Sequence, residues 1–124
     1  MNKKILIVED EEDIIGLLDA IFGNLADYEI LYAKDGRNAL KIIQVDNPDI
    51  ILLDIQLPEL NGYEVYRLLK SNWAFSHIKV LMLSGMTQKN DWLKAKEAGA
   101  DDYITKPFGT IELLEKVEAL LRKK

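Results

Sequence analysis

The chain has no cysteine and only one histidine, His77, in 124 residues. These absences exclude a disulfide, a thiolate nucleophile and a zinc-thiolate centre, and they argue against zinc or copper held by imidazole nitrogens. Long apolar runs are absent as well, so the sequence predicts no membrane-spanning segment. Carboxylate, hydroxyl and carbonyl oxygens therefore remain as the ligands with which this chain can bind an ion.

Positive charge is also scarce, because 16 Lys and Arg stand against 21 Asp and Glu, which gives a net charge of −5. A negative domain binds nucleic acid and anionic membranes poorly, so we expect neither as a direct partner. The basic cluster Arg122–Lys124 is typical of a helix C-terminus. With 48% hydrophobic and 30% charged residues, the composition indicates a single globular domain over residues 1–124. The apolar stretch near the N-terminus is too short for a signal peptide, so we expect a cytoplasmic location.

Strand-like apolar runs alternate with helix-like patterns along the whole chain. The runs predict five strands, at Ile5–Val8, Glu29–Ala33, Asp49–Leu53, Ile78–Leu83 and Asp102–Ile104. Helical spacing follows each run, from Ile14 to Leu25 and around Ala39, Val65, Trp92 and Leu114, with Gly99 and Thr110 as predicted caps. This alternation predicts an α/β fold in which helices cover both faces of a five-stranded, doubly wound parallel sheet.

Polar residues stand at the ends of four of these runs, on the edge where parallel sheets bind ligands. They are Glu9 and Asp10 after the first run, Asp54 after the third, Ser84 after the fourth and Lys106 after the fifth. Crowded carboxylates repel one another, and a hard cation such as Mg²⁺ relieves that repulsion. We therefore predict a site for a divalent cation and a phosphate, with Asp10 and Asp54 as first-choice ligands and Glu9 acting directly or through a water.

Lys106 and Ser84 complete the predicted site. An ammonium group can neutralise a carboxylate when phosphate is absent and a phosphoryl group when it is present, and the Lys106–Pro107 peptide can be cis. The Ser84 hydroxyl, at a strand end, can approach a phosphate oxygen. A purely structural explanation of the acids as helix caps suits Glu11–Asp13 but not Asp54, because the next helix begins several residues after Asp54.

With these residues in place, the chain resembles the response-regulator receiver domains, the CheY-like family. The matching motifs are the pair Glu9-Asp10, the run D-I-Q-L-P-E-L-N-G from Asp54, the pair Ser84-Gly85, and Y-I-T-K-P-F from Tyr103 to Phe108. The resemblance covers nearly the whole chain. It implies a flavodoxin-like, CheY-like (βα)5 three-layer sandwich and a signalling role in a two-component phosphorelay, without independent enzymatic turnover.

The resemblance also implies how the site binds its ligands. Asp54 would accept a phosphoryl group from a sensor histidine kinase or a phosphotransfer protein. Mg²⁺, or Mn²⁺ in its place, would be held by Asp10, Asp54 and the backbone carbonyl of Gln56, with Glu9 in support. Lys106 would pair with the phosphoryl group.

A switch is implied in the same way. Ser84 would hydrogen-bond the phosphoryl group and move inward, and Tyr103 would fill the vacated space. The face formed by the fourth helix, the last strand and the last helix would then change, and a downstream protein or an output domain would respond. A phosphorylation-dependent homodimer through this face is a further expectation, and Gln56 and Met86 would tune the phosphoryl lifetime.

Three alternatives remain open at this point. A haloacid-dehalogenase-type phosphatase needs a second acid two residues after Asp54, where this chain has Gln56. A flavodoxin-like electron carrier needs a loop rich in Ser, Thr and Gly after the first strand, where this chain has Glu9–Asp13. A degenerate receiver would serve as a phosphorylation-independent interaction module, but the complete set of acids, hydroxyl and lysine favours the phosphoacceptor.

Overall fold

Five strands form one parallel sheet in the computed structural model, which describes residues 2–85 and 101–123. The strands are β1 Lys3–Val8, β2 Tyr28–Ala33, β3 Ile50–Asp54, β4 Lys79–Ser84 and β5 Asp102–Thr105. The helices within the described residues are α1 Glu12–Phe22, α2 Gly36–Asp46, α3 Gly62–Lys70 and α4 Thr110–Arg122. The predicted α/β fold is confirmed, whereas the helix predicted around Trp92 and its cap Gly99 lie outside the described residues.

The strand order β2-β1-β3-β4-β5 reverses between β1 and β3. In sheets of this kind the crevice at such a reversal lies at the carboxyl ends of the strands and binds ligands. β3 lies at the centre of the sheet, and all five of its residues are buried. The last of them, Asp54, is therefore a carboxylate held at the centre of the edge where sheets of this kind bind ligands.

Alternate strand residues pack into two separate apolar clusters, one on each face of the sheet. In β1, Leu6 and Val8 pack with α2 and α3, while Ile5 and Ile7 pack with α1 and α4. Full burial of one such side chain stabilises the fold by about 1.5–3 kcal/mol. Both faces are thus covered by helices, which explains why the strands appear in the sequence as continuous apolar runs.

Two helix boundaries differ from the sequence prediction. α1 ends at Phe22, because Gly23 follows and Leu25 takes part in a turn, donating its N–H to the carbonyl of Phe22 at 3.0 Å. The prediction of Thr110 as an N-cap is wrong: Gly109 occupies the N-cap position in an extended conformation, and Thr110 is the first helical residue. Glycine is an accepted N-cap residue, so α4 begins without a side-chain cap.

Candidate functional site

The parallel register brings the predicted site residues to one edge of the sheet. Leu53 pairs with Val8, Asp54 with Leu83, and Ser84 with Thr105. Backbone hydrogen bonds continue past the strand ends, because the N–H of Lys106 donates to the carbonyl of Ser84 at 2.6 Å. Residues that follow these strands are therefore neighbours, although they are far apart in the sequence.

Lys106 is the centre of an ion-pair network at this edge. Its Nζ lies 2.6 Å from Oε1 of Glu9, 3.5 Å from Oδ1 of Asp54 and 3.7 Å from Oε1 of Glu11. The side chains of Glu9, Asp54 and Lys106 are 0%, 3% and 10% exposed, whereas that of Glu11 is 63% exposed. One ammonium group thus serves two buried carboxylates and a third at the rim, and the Lys106–Pro107 peptide is cis.

Backbone N–H groups hold the two buried carboxylates in place. Oε2 of Glu9 accepts from the N–H of Asp10 at 3.1 Å and from that of Glu11 at 3.3 Å. Oδ1 of Asp54 accepts from the N–H of Gln56 at 3.1 Å. Such bonds favour the charged form of a carboxylate and fix its orientation.

The protonation of this site reflects burial and crowded charge. Burial raises the pKa of Asp54 well above its usual range, and the hydrogen bond and negative charge of Glu9 add to the rise. Lys106 and the N–H of Gln56 lower it again, but only in part. Burial lowers the pKa of Lys106, but its hydrogen bond to Glu9 and the neighbouring carboxylates outweigh burial, so the net pKa is raised.

The carboxylates have the geometry and chemistry for a hard cation. One oxygen each from Glu9, Glu11 and Asp54 lies within 4.8 Å of the others, and oxygen ligands suit Mg²⁺. Asp10, predicted as a first-choice ligand, has an exposed side chain outside this group of three. Gln56, whose carbonyl is a predicted ligand, lies two residues beyond Asp54 in the loop after β3.

Glu11 is the site residue that the sequence did not single out. Its position before the apolar pattern of α1 suggested a helix cap, and Glu11 does occupy the N-cap position. Its side chain, however, makes no capping hydrogen bond and pairs with Lys106. The sequence feature that could have identified Glu11 as a site residue is its position two residues after Glu9, in the loop that follows β1.

Ser84 and Tyr103, the predicted switch residues, lie on the neighbouring strands β4 and β5, of which β4 pairs with β3. Ser84 is the last residue of β4 and is 4% exposed, so its hydroxyl belongs to the buried part of this edge. Tyr103 in β5 is half-buried, packs against the apolar cluster that faces α2 and α3, and has its ring 6.0 Å from Nζ of Lys116. Met86, predicted to tune phosphoryl lifetime, lies outside the described residues.

Comparison with known proteins identifies the class to which this fold and site belong. The model of the response regulator receiver domain family matches residues 5–118, so the chain belongs to that family. It is 42% identical over 123 residues to the alkaline phosphatase synthesis transcriptional regulatory protein PhoP of Bacillus subtilis (strain 168), covering 99% of this chain and 50% of that protein. The chain spans about half the length of the curated relatives it matches.

Two solved receiver domains share the fold closely. The receiver domain of sensor histidine kinase PA1611 from Pseudomonas aeruginosa PAO1, with a magnesium ion coordinated in its active site cleft, has a TM-score of 0.90 and 26% identity, covering 99% of this chain and 100% of that one. The beryllofluoride-activated N-terminal receiver domain of Klebsiella pneumoniae RstA has a TM-score of 0.88 and 30% identity, covering 98% and 100%. The chain is therefore a receiver domain of two-component signalling, a family with a general phosphoacceptor role. Among the described residues, no helix combines the length and apolar character of a membrane span.

Proposed function

We propose that Asp54 of this receiver domain accepts a phosphoryl group from a phosphohistidine on a sensor kinase or a phosphotransfer protein. The observation that supports this most strongly is the buried ion-pair network, in which Lys106 lies within 4.0 Å of both Asp54 and Glu9 at the sheet edge. Phosphoryl transfer requires a positioned nucleophile and neutralisation of oxygen charge, and little more from the protein. The network provides both.

In the proposed reaction, a carboxylate oxygen of Asp54 forms a bond to phosphorus while the phosphorus–nitrogen bond of the phosphohistidine breaks. The electron pair of that bond returns to the imidazole nitrogen. Lys106, which pairs with Asp54 in the structure, then pairs with the new phosphoryl oxygens, and its hydrogen bond to Glu9 keeps the ammonium at the site. Bound Mg²⁺ would supply further positive charge to the carboxylates and the equatorial phosphoryl oxygens.

The proposed metal ligands are drawn from two sets of residues, the ligands predicted from the sequence and the three carboxylates that lie together in the structure. Glu9 and Asp54 belong to both the predicted set and the group of three that the structure brings together. Asp10 and the backbone carbonyl of Gln56 remain proposed ligands, and Glu11 adds a negative charge at the rim. The same oxygen ligands fit Mn²⁺, so we include it as an alternative ion.

Replacing Glu11 with glutamine is expected to weaken Mg²⁺ binding about two- to fourfold, because it removes one rim charge that solvent screens in part. Stability should change by less than about 0.5 kcal/mol, since the Glu11 side chain is exposed. Glu12→Gln is the matched control, because Glu12 is the next residue, is 74% exposed and pairs with Lys34. Calorimetric titration with MgCl₂ gives the dissociation constants. Equal constants for the two variants would show that Glu11 does not contribute to Mg²⁺ binding.

The switch is the second part of the proposal. Ser84 would move inward to hydrogen-bond the phosphoryl group, and Tyr103 would fill the space that Ser84 leaves. This movement would change the face to which β5 and the last helix, α4, contribute. The relatives' names mention transcriptional regulation, so the proposed recipient is an output domain or partner protein of that kind. A homodimer through this face is proposed as the active form, and unchanged sedimentation with beryllofluoride and Mg²⁺ would contradict it.

Intact mass after incubation with acetyl phosphate and Mg²⁺ tests the proposed reaction. The wild type should gain one phosphoryl unit, and both a chelator and the substitution Asp54→Asn should abolish the gain. Asp27→Asn, an exposed aspartate in the loop before β2, should be modified like the wild type. A wild type that binds Mg²⁺ but gains no mass would contradict the proposal and favour the phosphorylation-independent interaction module.

A further inference from the structure

Gly62, the first residue of α3, lies directly against the backbone of Asp54. A Cβ atom at Gly62 would lie 2.5 Å from the carbonyl oxygen of Asp54, 3.1 Å from its carbonyl carbon and 2.9 Å from Cα of Ile55. Non-bonded carbon atoms pack at about 3.5–4.0 Å, so these distances leave no room for a methyl group. Because the opposing atoms are backbone atoms, no side-chain rotation can relieve the contact.

A hydrogen bond fixes the same contact. The N–H of Gly62 donates to the carbonyl of Ile55 at 2.9 Å, so the start of α3 is bonded to the residue next to Asp54. The loop between them is also constrained: Leu60 donates to the carbonyl of Pro58 at 2.7 Å, and Glu59 has a φ of 67°. Residues 56–61 therefore form a short loop whose two ends meet at the Asp54–Ile55 backbone.

This loop contains Gln56, whose N–H binds Oδ1 of Asp54 at 3.1 Å and whose carbonyl is a proposed metal ligand. A displacement of α3 away from Asp54 would open the loop at its far end. The near end would then lose the geometry that aims the Gln56 N–H at the acceptor carboxylate. Gly62 is thus connected to the carboxylate of Asp54 through one short loop.

We propose that Gly62 is a positioning residue for phosphoryl transfer: its lack of a side chain lets α3 begin against the Asp54–Ile55 backbone and so sets the geometry of the acceptor carboxylate and the Gln56 loop. This inference rests on the proposed role of Asp54. It assigns Gly62 no contact with the phosphoryl group. Misplacement of reacting groups by about 1 Å can reduce a rate by about 100-fold, so a backbone displacement here has a measurable effect.

Because Gly62 lies in a helix, an unfavourable effect of Gly62→Ala would be opposite to the usual effect of replacing glycine with alanine. Alanine is normally preferred to glycine within a helix, so a Gly→Ala change without a steric conflict should raise the melting temperature. Gly16, in the middle of α1, provides this case, because nothing lies within 4 Å of a Cβ placed there. Gly16→Ala is therefore the matched control for the chemistry of the substitution.

The experiment compares Gly62→Ala with Gly16→Ala and with Leu120→Ala, which removes a buried side chain of α4 in the apolar cluster on the face of the sheet that α3 does not cover. Each variant is assayed in sucrose, which favours the folded state, and rates are divided by the folded fraction from circular dichroism. Gly62→Ala should slow phosphorylation by acetyl phosphate about 10- to 100-fold and weaken Mg²⁺ binding. Both controls should keep the wild-type rate and the wild-type Mg²⁺ affinity.

Wild-type kinetics for folded Gly62→Ala would overturn the inference, and so would an equal loss in Leu120→Ala, which would show a general effect of destabilisation. If the wild type itself gains no phosphoryl group, the proposed function fails instead. If Gly62→Ala does not fold, Gly36→Ala is used to test the inference in its place. A Cβ at Gly36 would lie 2.9 Å from Cγ2 of Val65 and 3.1 Å from Cβ of Leu60, which belongs to the loop of residues 56–61. Those side chains can yield, so we expect a smaller loss of about threefold in rate, and an unchanged rate would overturn the inference.

Discussion

Replacing Asp54 with asparagine is expected to stabilise the folded protein by about 1–3 kcal/mol in magnesium-free buffer at neutral pH. Asp54 is 2% exposed and Glu9 is 0% exposed, and burial together with the negative charge of Glu9 raises the pKa of Asp54. Lys106 is the one cation that pairs with them among the described residues, so the site carries excess buried negative charge. Asparagine keeps the shape of the side chain and removes one of these charges.

The stabilisation should depend on pH, because folding raises the pKa of Asp54. The unfolded chain releases this proton near pH 4, the ordinary value for aspartate being about 3.9, and the folded chain releases it at a higher pH. Wild-type stability therefore falls as the pH rises through the interval between the two pKa values. The advantage of Asp54→Asn should be complete above the folded-state pKa and absent below about pH 4.

Urea denaturation followed by circular dichroism measures this difference, with and without Mg²⁺. Mg²⁺ should stabilise the wild type by mass action and stabilise Asp54→Asn less, because that variant has one charged ligand fewer. Asp27→Asn controls for the change in net charge, because Asp27 is exposed and lies in the loop at the amino end of β2. An Asp54→Asn variant that is less stable than the wild type without metal would show that Asp54 contributes to the fold as an ordinary ion-pair partner.

Replacing Lys106 with methionine should have the opposite effect and destabilise the metal-free protein by about 3 kcal/mol, a usual cost of removing one member of a buried ion pair. Methionine preserves much of the apolar stem, so most of the loss comes from leaving Glu9 and Asp54 without their cation. Mg²⁺ should recover part of that loss, because a divalent ion can neutralise the same carboxylates. Phosphorylation by acetyl phosphate should slow by at least about tenfold, since no ammonium then stabilises the transferring group.

A double-mutant cycle distinguishes this explanation from simple loss of packing. The combination of Lys106→Met with Asp54→Asn should cost less than the sum of the two separate changes, because the remaining site holds one carboxylate fewer. Lys116→Met is the control, because Lys116 pairs with Asp102 at 3.3 Å in a partly exposed position and should cost less than about 1 kcal/mol. Additive effects of the Lys106 and Asp54 substitutions would contradict the ion-pair network.

The positions of the predicted strands and of the residues that follow them were readable in the sequence, because buried parallel strands appear as continuous apolar runs. Ile50–Leu53 predicted the central strand, and the parallel register then requires Asp54 to lie beside the ends of β1 and β4. Periodicity and strand-end position were sufficient for these features.

Other features depend on tertiary contacts that a single sequence does not encode locally. Glu11 has the sequence position of a helix cap, and only the fold shows that its side chain pairs with Lys106. Thr110 and Gly109 have similar intrinsic preferences for the N-cap position, and only the fold shows that the chain enters α4 at Gly109. Gly62 resembles a turn glycine in L-N-G, and its contact with the Asp54 backbone appears only when α3 packs against β3.

The position of the phosphoryl group is the most direct test of the proposed function. The protein is phosphorylated with acetyl phosphate and Mg²⁺, reduced with borohydride, which converts an aspartyl phosphate to homoserine, and digested for peptide mass spectrometry. We predict homoserine at position 54 and at no other aspartate. Homoserine at another aspartate such as Asp10, or an adduct that resists borohydride, would contradict the assignment of Asp54 as the acceptor.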